Sequence, residues 1–406
     1  MQTVYERCCG IDIHKKVITA CLRIGRKAEL RDFGTRTGEL RDLVSWLQEN
    51  NCQMVAMEST GVYWKPVYNL LELVDIPAMV VNAHHMKNVP GRKTDAKDAA
   101  WIAELLQHGL LRASYIPDKE QRELREVVRY RKSLTEERAR ELNRLQKILE
   151  GANIKLSSFA SEITGVSSKK LINQAMTDEG VTADNIAPLL HASMKAKTND
   201  LVLAMDGVLT TVQRQLVKAI LNHIDDMSKR IEEMDDIIKG QMQKYEDEIA
   251  RLDEISGIGR TSAEIIIAEI GTDMSRFPTA AHLASWAGLC PGNNESAKKR
   301  KSGKTTKGNK TLKSTLIQCA QSAANNKKSF FHAQYQRLVV RRGTKKAKVA
   351  VAHSMIIAIF NMLKNNVPFN DLGSDYYSKF NEQSKINYHI KKLKELGAII
   401  PNTMTA

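Results

Sequence analysis

An ordered alternation of short β-rich runs and amphipathic helices in the first hundred residues restricts the fold more than any other feature of the chain. Three β-rich runs separated by polar turns come first, and they predict two or three antiparallel strands with tight connections. A helix follows, and then two buried strands, each of which precedes another helix. These segments span residues 6–13, 17–23, 27–35, 37–50, 54–58, 64–74, 77–82 and 95–106. The order βββαβαβα predicts an α/β domain with a mixed central sheet.

Four acidic residues lie at the ends of these predicted elements. Asp12 is in the first strand between two isoleucines, and Glu58 ends the fourth strand. Asp95 and Asp98 share the first turn of the helix that follows residues 91–94. Three residues correspond to about 4.5 Å of rise and roughly 60° of rotation, so both carboxylates lie on one face. Taken alone, this pair is better explained by helix capping, and Asp12 would also be tolerated at a sheet edge that faces solvent.

The four acids together favour a metal site. An acid inside an apolar strand costs free energy unless it is paired or bound to a metal. Carboxylate oxygens are hard ligands that suit Mg²⁺ or Mn²⁺. Two such ions about 3.5–4 Å apart can activate an attacking oxygen and stabilise a leaving oxygen at phosphorus. The combination therefore predicts metal-assisted phosphoryl chemistry.

Three motifs in this region resemble a known family. The predicted order of strands and helices is that of the ribonuclease H superfamily. The motifs GIDIHKK, AMESTGVYW and GRKTDAKDAAWIAELL resemble the N-terminal domain of IS110-family transposases, in particular the IS1111 branch. The resemblance implies a RuvC-like domain with an Asp-Glu-Asp-Asp tetrad, expected over residues 1–117. The tetrad matches Asp12, Glu58, Asp95 and Asp98, which are then the expected catalytic residues and metal ligands.

The middle of the chain, residues 118–251, is predicted to be a helical spacer. Residues 119–153 and 206–252 have apolar side chains at steps of three and four, which predicts long helices with a coiled-coil contact. The apolar positions of the second helix are Leu209, Val212, Leu216, Ile220, Ile224, Met227, Ile231, Met234, Ile238, Met242, Tyr245, Ile249 and Leu252. Residues 154–205 are less regular and are expected to form a helical insertion. The pattern leaves open whether the long helices pair within one chain or between subunits.

A glycine turn opens the C-terminal third. Residues 252–271 place Gly257-Ile258-Gly259 between two apolar helices. This predicts a helix-hairpin-helix, whose turn amides and following helix N-terminus bind phosphate without reading bases. A tight turn between packed helices is the structural alternative. Gly257 and Gly259 are thus candidate nucleic-acid contacts in a helical domain expected over residues 252–370, with a tail at 371–406.

A basic segment follows. Residues 297–313 contain eight Lys or Arg and no acid, and glycines and serines interrupt the run, which predicts a loop passing into a helix near Thr311. Such a run usually forms a solvated face, but it also suits a nucleic-acid backbone, with an affinity that depends on salt. The basic candidates for nucleic-acid contacts are Lys298, Lys299, Arg300, Lys301, Lys304 and Lys307.

A serine in this basic field can attack a phosphodiester, because neighbouring cations stabilise its alkoxide. The residues alone do not select one serine, since surface serines are common. The segment resembles the C-terminal Tnp domain of the IS110 family, in which a serine after the GLxP element is the nucleophile. Ser296 takes that place after Pro291. Many relatives have Ser-Gly there, whereas this chain has Ser296-Ala297. Ser302, which precedes Gly303 in a stretch similar to the SKxGN element, is therefore the rival candidate.

Charge and cysteine content restrict the class of protein. The 406 residues include 61 basic and 46 acidic side chains, which gives a net charge of +15 and a pI near 9.4. That excess suits nucleic acid or an anionic membrane surface. No apolar run approaches the ~18 residues of a membrane span, and no signal-peptide core is present. The six cysteines form no CxxC pair, so we expect a reduced, cytoplasmic protein with no membrane partner.

The resemblance implies a bacterial, nucleoid-associated transposase that cuts and rejoins donor and target DNA. Family members combine the tetrad and the serine in a composite site, and they pair with DNA through a structured noncoding RNA of the element. They act as homo-oligomers, and a dimer or tetramer is expected. Two other hypotheses remain: a RuvC-type metal-dependent junction nuclease without serine chemistry, and a non-catalytic architectural or RNA-binding protein.

Overall fold

The computed structural model describes residues 2–59, 61–81, 95–160, 162–292, 294–296 and 299–396. The turn predicted at 91–94 and the candidate contact Lys298 lie outside the described residues. Backbone proximity divides the chain into two compact units, residues 1–117 and residues 118–406. The first unit is α/β, as predicted, and the second is almost entirely helical.

A five-stranded mixed sheet forms the framework of the first unit. Its strands are β1 Arg7–Ile13, β2 Val17–Ile24, β3 Lys27–Gly34, β4 Met54–Glu58 and β5 Ala78–Val81. The strand order is β3-β2-β1-β4-β5. Strands β1, β2 and β3 pair antiparallel, whereas β1, β4 and β5 pair parallel. This mixed sheet with β1 at its centre is the arrangement expected of a RuvC-like fold.

Helices cover both faces of this sheet. The helices α1 Thr37–Glu49 and α2 Trp64–Leu73 share an apolar core with the side chains of Cys9, Ile11 and Ile13 on one face. The helix α3 Asp95–Gln107 packs on the opposite face, where alternation along β1 places Cys8, Gly10 and Asp12.

The absence of a side chain at Gly10 permits the close packing of α3. A Cβ atom at Gly10 would lie 2.3 Å from the Ala103 nitrogen and 2.4 Å from the Ala99 oxygen, both backbone atoms of α3. Any other residue would therefore push the helix off the strand.

The second unit consists of helices and one β-hairpin. Its helices are α4 Lys119–Gly151, α5 Val166–Ala175, α6 Ala183–Ile186, α7 Ala192–Lys195, α8 Thr198–Ala204, α9 Thr211–Met242, α10 Glu246–Asp253, α11 Arg260–Ile270, α12 Ala280–Trp286, α13 Lys310–Ala323, α14 Phe330–Arg342, α15 Thr344–Asn365 and α16 Tyr376–Glu395. The hairpin strands are β6 Asn294–Ser296 and β7 Lys299–Ser302. The hairpin corrects the prediction of a loop in the basic segment. Strand pairing satisfies its backbone groups, and the following helix begins close to the predicted position.

The two longest helices, α4 and α9, pair with each other inside the chain, which answers the question that the sequence left open. They run antiparallel, since Arg138 Nε donates to Ser228 Oγ at 2.9 Å and Lys244 Nζ donates to Glu120 Oε2 at 2.5 Å. The short helices α5 to α8 share an apolar core with the ends of this pair that lie near Leu149.

The prediction of one continuous helix over 206–252 is wrong. The helix α9 ends at Met242, and a 3₁₀ turn separates it from α10. Two residues of the predicted apolar stripe, Val212 and Leu216, are 71% and 46% exposed, whereas Val217 and Leu221 are buried. The buried face is rotated at this end because α9 also packs against the short helices there, and a strict coiled-coil repeat does not describe it.

One described helix, α15, is long and apolar enough to cross a membrane by length and composition, with a mean hydropathy of 1.3. The sequence predicted no membrane-spanning segment because it contains no uninterrupted apolar run of sufficient length. Polar residues interrupt the apolar sequence of α15, so that criterion did not detect it. The helix buries eight side chains against its neighbours, among them α12, α13 and α14. This is the arrangement of a core helix.

Candidate functional site

Asp12 lies on the central strand of the sheet rather than at a solvent-facing edge. Its strand β1 is paired on both sides, and the residue is only 7% exposed. The edge alternative for Asp12 is therefore wrong. The Nε2 atom of His14 lies 3.2 Å from Asp12 Oδ2. Sequence reasoning missed His14, which directly follows β1 and lies two residues after Asp12.

Glu58 lies beside Asp12 on the neighbouring strand. The parallel register pairs Ile11 with Met57, so the next position aligns Asp12 with Glu58. Ala56 belongs to the apolar cluster under α3, and alternation places Glu58 on that same face. Adjacent strands are about 4.8 Å apart. The structure therefore brings these two predicted residues together at the carboxyl ends of parallel strands.

The start of α3 lies toward the same end of the strand. At the beginning of β1, Val4 N donates to the oxygen of Gln107, the last residue of α3, at 2.8 Å. Farther along the strand, Gly10 meets Ala99 and Ala103. The helix thus runs antiparallel to β1, and its first turn, which carries Asp95 and Asp98, lies toward Asp12. Asp98 is half-buried, and the Asp95 side chain lies outside the described part of the structure.

The donor set at this edge consists of carboxylate oxygens, which match the preference of a hard divalent cation. Within the described ranges, no three His, Cys, Asp or Glu side chains form a group close enough to hold a metal ion. Asp12 and Glu58 thus lie at the same end and on the same face of two adjacent strands, but these two side chains alone do not form a complete metal site. Two half-buried or buried acids on one face still provide adjacent oxygen donors.

The cysteines of this unit are not competing ligands. Burial raises the pKa of the Cys8 thiol to about 12 and that of Cys52 to about 11. Burial also raises the pKa of Cys9 and Cys21. A metal ligand or nucleophile must be the thiolate. These four thiols stay protonated at neutral pH, which agrees with their role in the apolar core.

The two candidate serines lie at opposite ends of the β6–β7 hairpin. Ser296 ends β6 and pairs with Lys299, the first residue of β7, whereas Ser302 ends β7 and pairs with Asn294. The register shifts between Asn294 and Glu295. The described part of the structure does not include the side chains of either serine, nor those of Lys299, Arg300 and Lys301. The basic candidates Lys304 and Lys307 are exposed.

Backbone hydrogen bonds extend the hairpin below its two strands. Gly292 N donates to Lys304 O at 2.8 Å, and Thr306 N donates to Cys290 O at 3.1 Å. The described residues on both sides of Ser296 therefore form a two-stranded arm, and α13 begins shortly after the arm ends.

A buried carboxylate fixes the end of this arm. Asn309, the N-cap of α13, donates through Nδ2 to Glu269 Oε2 at 2.6 Å. Glu269 lies on α11 and is fully buried. Arg129 of α4 donates to both of its oxygens, at 2.6 and 2.7 Å, and this hydrogen bonding raises the pKa of Arg129. Arg125 Nε adds a third cationic contact at 3.6 Å. We call Glu269, Arg129, Arg125 and Asn309 the arm anchor.

The predicted glycine turn is present between α10 and α11, but its first glycine has a packing role. Gly257 has a φ of +90°, and a Cβ atom there would lie 2.4 Å from the Cys319 oxygen of α13. Gly259 caps α11. The neighbouring Arg260 pairs with Glu246 at 2.5 Å and with Glu264 at 3.1 Å. These contacts favour the structural alternative for Gly257, and phosphate binding at this turn stays a prediction.

Two family models match the ranges that contain the candidate acids and the candidate serines. A model for the DEDD transposases of IS110, described as transposase, matches residues 9–154, which include the four acids. A second model, described as transposase of the IS116/IS110/IS902 family, matches residues 249–336, which include the hairpin serines.

Three relatives match along most of the chain. The transposase for insertion sequence element IS1111A from Coxiella burnetii is 23% identical over 87% of this chain and 88% of its own length. A probable family 20 transposase from Pseudomonas aeruginosa is 25% identical over 85% of this chain and 89% of its own. The insertion element IS110 uncharacterized 43.6 kDa protein from Streptomyces coelicolor is 27% identical over 68% of this chain and 72% of its own. With both family models matched in order, the chain belongs to the IS110 family of transposases.

Proposed function

We propose that this transposase cuts and rejoins donor and target DNA through a serine nucleophile, Ser296, together with a carboxylate tetrad that binds Mg²⁺ or Mn²⁺. The tetrad consists of Asp12, Glu58, Asp95 and Asp98. The observation that carries the proposal is the alignment of Asp12 and Glu58 on one face of adjacent parallel strands. The first turn of α3 brings the remaining two residues toward the same strand end.

The residues of the chain divide the chemistry between two regions. The Ser296 hydroxyl loses its proton as Oγ forms a bond to the phosphorus, the bond from phosphorus to the sugar oxygen breaks, and that oxygen takes up a proton. The phosphoserine ester keeps the energy of the phosphodiester, so a sugar hydroxyl of another strand can attack it and regenerate the serine. Lys304 and Lys307 supply positive charge beside the developing negative charge. When bound at the tetrad, the divalent ion supplies Lewis acidity to phosphate oxygens.

Charge and family support the proposed substrate and partner. The net charge of +15 supports binding of a polyanion. We propose DNA as the substrate and a structured noncoding RNA of the element as the guide, which needs only shape and backbone contacts with the protein. We also propose that the chain acts as a homo-oligomer, a dimer or tetramer, at the bacterial nucleoid.

A covalent protein–DNA adduct is the direct test of the serine. The full-length protein is incubated with divalent metal, element-end DNA and element RNA, and the denatured products are separated on a gel. Ser296→Ala should abolish the adduct, and Ser302→Ala, a matched change at the other end of the same hairpin, should retain it. The opposite pattern would move the nucleophile to Ser302.

The alternative function predicts a different result. A RuvC-type junction nuclease would cut DNA without any adduct, and both serine variants would cut as fast as the native protein. The carboxylates on β1 and β4 favour this alternative only because metal-dependent cleavage by carboxylates requires no serine nucleophile. Retention of the adduct in both serine variants would contradict either assignment of the nucleophile.

A further inference from the structure

The positive charge of this transposase is concentrated in one part of the chain. Residues 296–370 contain 17 Lys or Arg and no Asp or Glu, which exceeds the net charge of +15 for the whole protein. Eight of these cations belong to the basic segment at 297–313. The other nine lie farther along, on or beside the helices α13 to α15, and the serine chemistry does not use them.

Four of these nine cations form one exposed corner of the second unit. Arg341 and Arg342 end α14, and Lys345 and Lys346 belong to the first turn of α15. Gly343, which has a φ of +74° and open space around it, joins the helices through a single residue. All four side chains are exposed. We call Arg341, Arg342, Lys345 and Lys346 the basic corner.

The corner is not neutralised by the surrounding protein. No residue in the described part of the chain forms an ion pair with any of the four cations. The helices α12, α13 and α14, which pack against α15, contain no carboxylate. Asp273, next to a turn that also contacts α15, pairs with Arg276 at 3.4 Å. The helix α16, which packs on α14, carries two acids and five lysines.

Other arginines of this unit are used inside the fold. Arg129 and Arg131 of α4 pair with buried acids at 2.6 and 2.8 Å. Four like charges held together without counter-charges repel one another, so the corner costs free energy in the isolated protein. A polyanion relieves that repulsion. Duplex DNA carries one phosphate charge per about 1.7 Å of helix axis, which matches a compact group of cations.

We propose that the basic corner is a binding surface for the backbone of duplex DNA. The contact is independent of sequence, because cations on the phosphates position a protein without reading bases. The proposal goes beyond the serine chemistry and does not depend on which serine is the nucleophile. Duplex DNA is proposed over folded RNA because both matched family models describe transposases, and a transposase acts on DNA.

The test is the salt dependence of DNA binding by the full-length protein. The variant Arg341→Gln/Arg342→Gln/Lys345→Gln/Lys346→Gln is titrated with a fluorescent duplex of roughly 40 base pairs at several salt concentrations. Each phosphate contact contributes about −0.9 to the slope of log affinity against log salt, so the slope should become less negative by about 3 to 4. Affinity at moderate salt should fall by at least about tenfold.

A matched control removes the same charge elsewhere. The four exposed cations of α9, changed in Lys218→Gln/Lys229→Gln/Arg230→Gln/Lys239→Gln, stand among six acids of the same helix. This variant should keep the native slope and affinity. Equal slopes for the two variants would overturn the proposal. The proposal would also be overturned if the variant of the basic corner lost binding to a folded RNA with the same number of phosphates but bound duplex DNA as the native protein does.

A crosslinking measurement keeps the proposal testable if the fourfold variant unfolds. Val340, one residue before the corner, is 87% exposed, and Val212 on α9 is 71% exposed. A photo-crosslinker attached to cysteine in Val340→Cys should label duplex DNA, and the same reagent in Val212→Cys should not. Equal labelling at both sites, or labelling of neither, would contradict the proposed surface.

Discussion

The carboxylate site and the serine hairpin are held in place in opposite ways. Asp12 is buried on the central strand of a sheet, and the register of β1 against β4 determines its neighbour Glu58. Ser296 ends a short strand of a two-stranded arm that is fixed at its base. The carboxylate site is thus built into the core of its unit, whereas the position of the serine hairpin depends on the arm anchor at the base of the arm.

Because of this difference, the two sites are sensitive to different kinds of substitution. In the first region, we expect a change of charge at Asp12 to affect the proposed chemistry directly, because the surrounding sheet holds the position of this side chain. In the second region, we expect a change at Glu269, which is not one of the proposed reacting groups, to alter the position of the serine arm.

The largest effect is expected from Asp12→Asn. The variant preserves shape and removes one metal-binding charge, so adduct formation should fall by at least about 10²–10³-fold, a typical loss when an electrostatic group at a reacting centre is removed. Because Asn fits the same space, thermal unfolding should change little. The rate of adduct formation at saturating Mg²⁺ measures the effect.

Asp32→Asn is the matched control for this prediction. Asp32 on β3 pairs with Thr19 on β2, and Thr19 in turn pairs with Asp12 on β1. The Oδ1 atom of Asp32 accepts a hydrogen bond from Thr19 Oγ1 at 2.7 Å. It is exposed and outside the tetrad. The control should react at the native rate. A normal rate in Asp12→Asn would show that the buried acid has no part in the chemistry.

The fold of the first unit could be predicted closely because its pattern is local. Alternation of apolar residues determined the bounds of β4 and placed the other four strands within two residues at each end. The parallel pairing of β1 and β4 then brings Asp12 and Glu58 together, and this follows from the topology alone. His14 was missed because a histidine in a polar turn gives no pattern of its own.

The second region could be predicted less well because tertiary contacts determine it. The break after Met242 and the exposure of Val212 depend on the short helices packed against α9, which no local periodicity reveals. The hairpin in the basic segment has only three and four residues in its strands, too few for an alternation pattern. Ser296 itself was selected by family resemblance and not by any physical property of the residue.

The arm anchor gives the second-largest expected effect. Glu269→Gln leaves the mostly buried guanidinium of Arg125 and the half-exposed one of Arg129 without their carboxylate. The new amide also presents a donor where Arg129 or Asn309 donates. Loss of one partner of a buried ion pair costs about 3 kcal/mol or more. Hydrogen exchange of residues 290–313 should therefore speed up, and adduct formation should slow although no reacting group has changed.

A surface ion pair provides the comparison for the anchor. Glu137 lies 3.8 Å from Arg140 on the same helix α4, and both side chains are about half-exposed or more. Glu137→Gln should lower stability by less than about 1 kcal/mol and leave exchange in the arm unchanged. If Glu269→Gln behaved like this control, the arm would be held by its backbone hydrogen bonds alone.

The smallest effect is a difference in alkaline stability that the cysteines impose on the first unit. Burial raises the pKa of Cys8 from 9.0 to about 12 and that of Cys52 to about 11. In the unfolded chain these thiols ionise above pH 9, while the folded state keeps their protons. The contribution of these thiols to the free energy of unfolding is therefore fully present below pH 9. It falls as the pH rises toward 11 or 12, by up to about 1.4 kcal/mol per pH unit for each such thiol.

Hydrogen exchange between pH 8 and 10, corrected for the intrinsic rate, should show β1 losing protection, and Cys52→Ala should reduce that loss. A pH-independent protection of β1 would mean that burial does not hold these protons, and the apolar core under the carboxylates would then be less dry than its packing indicates.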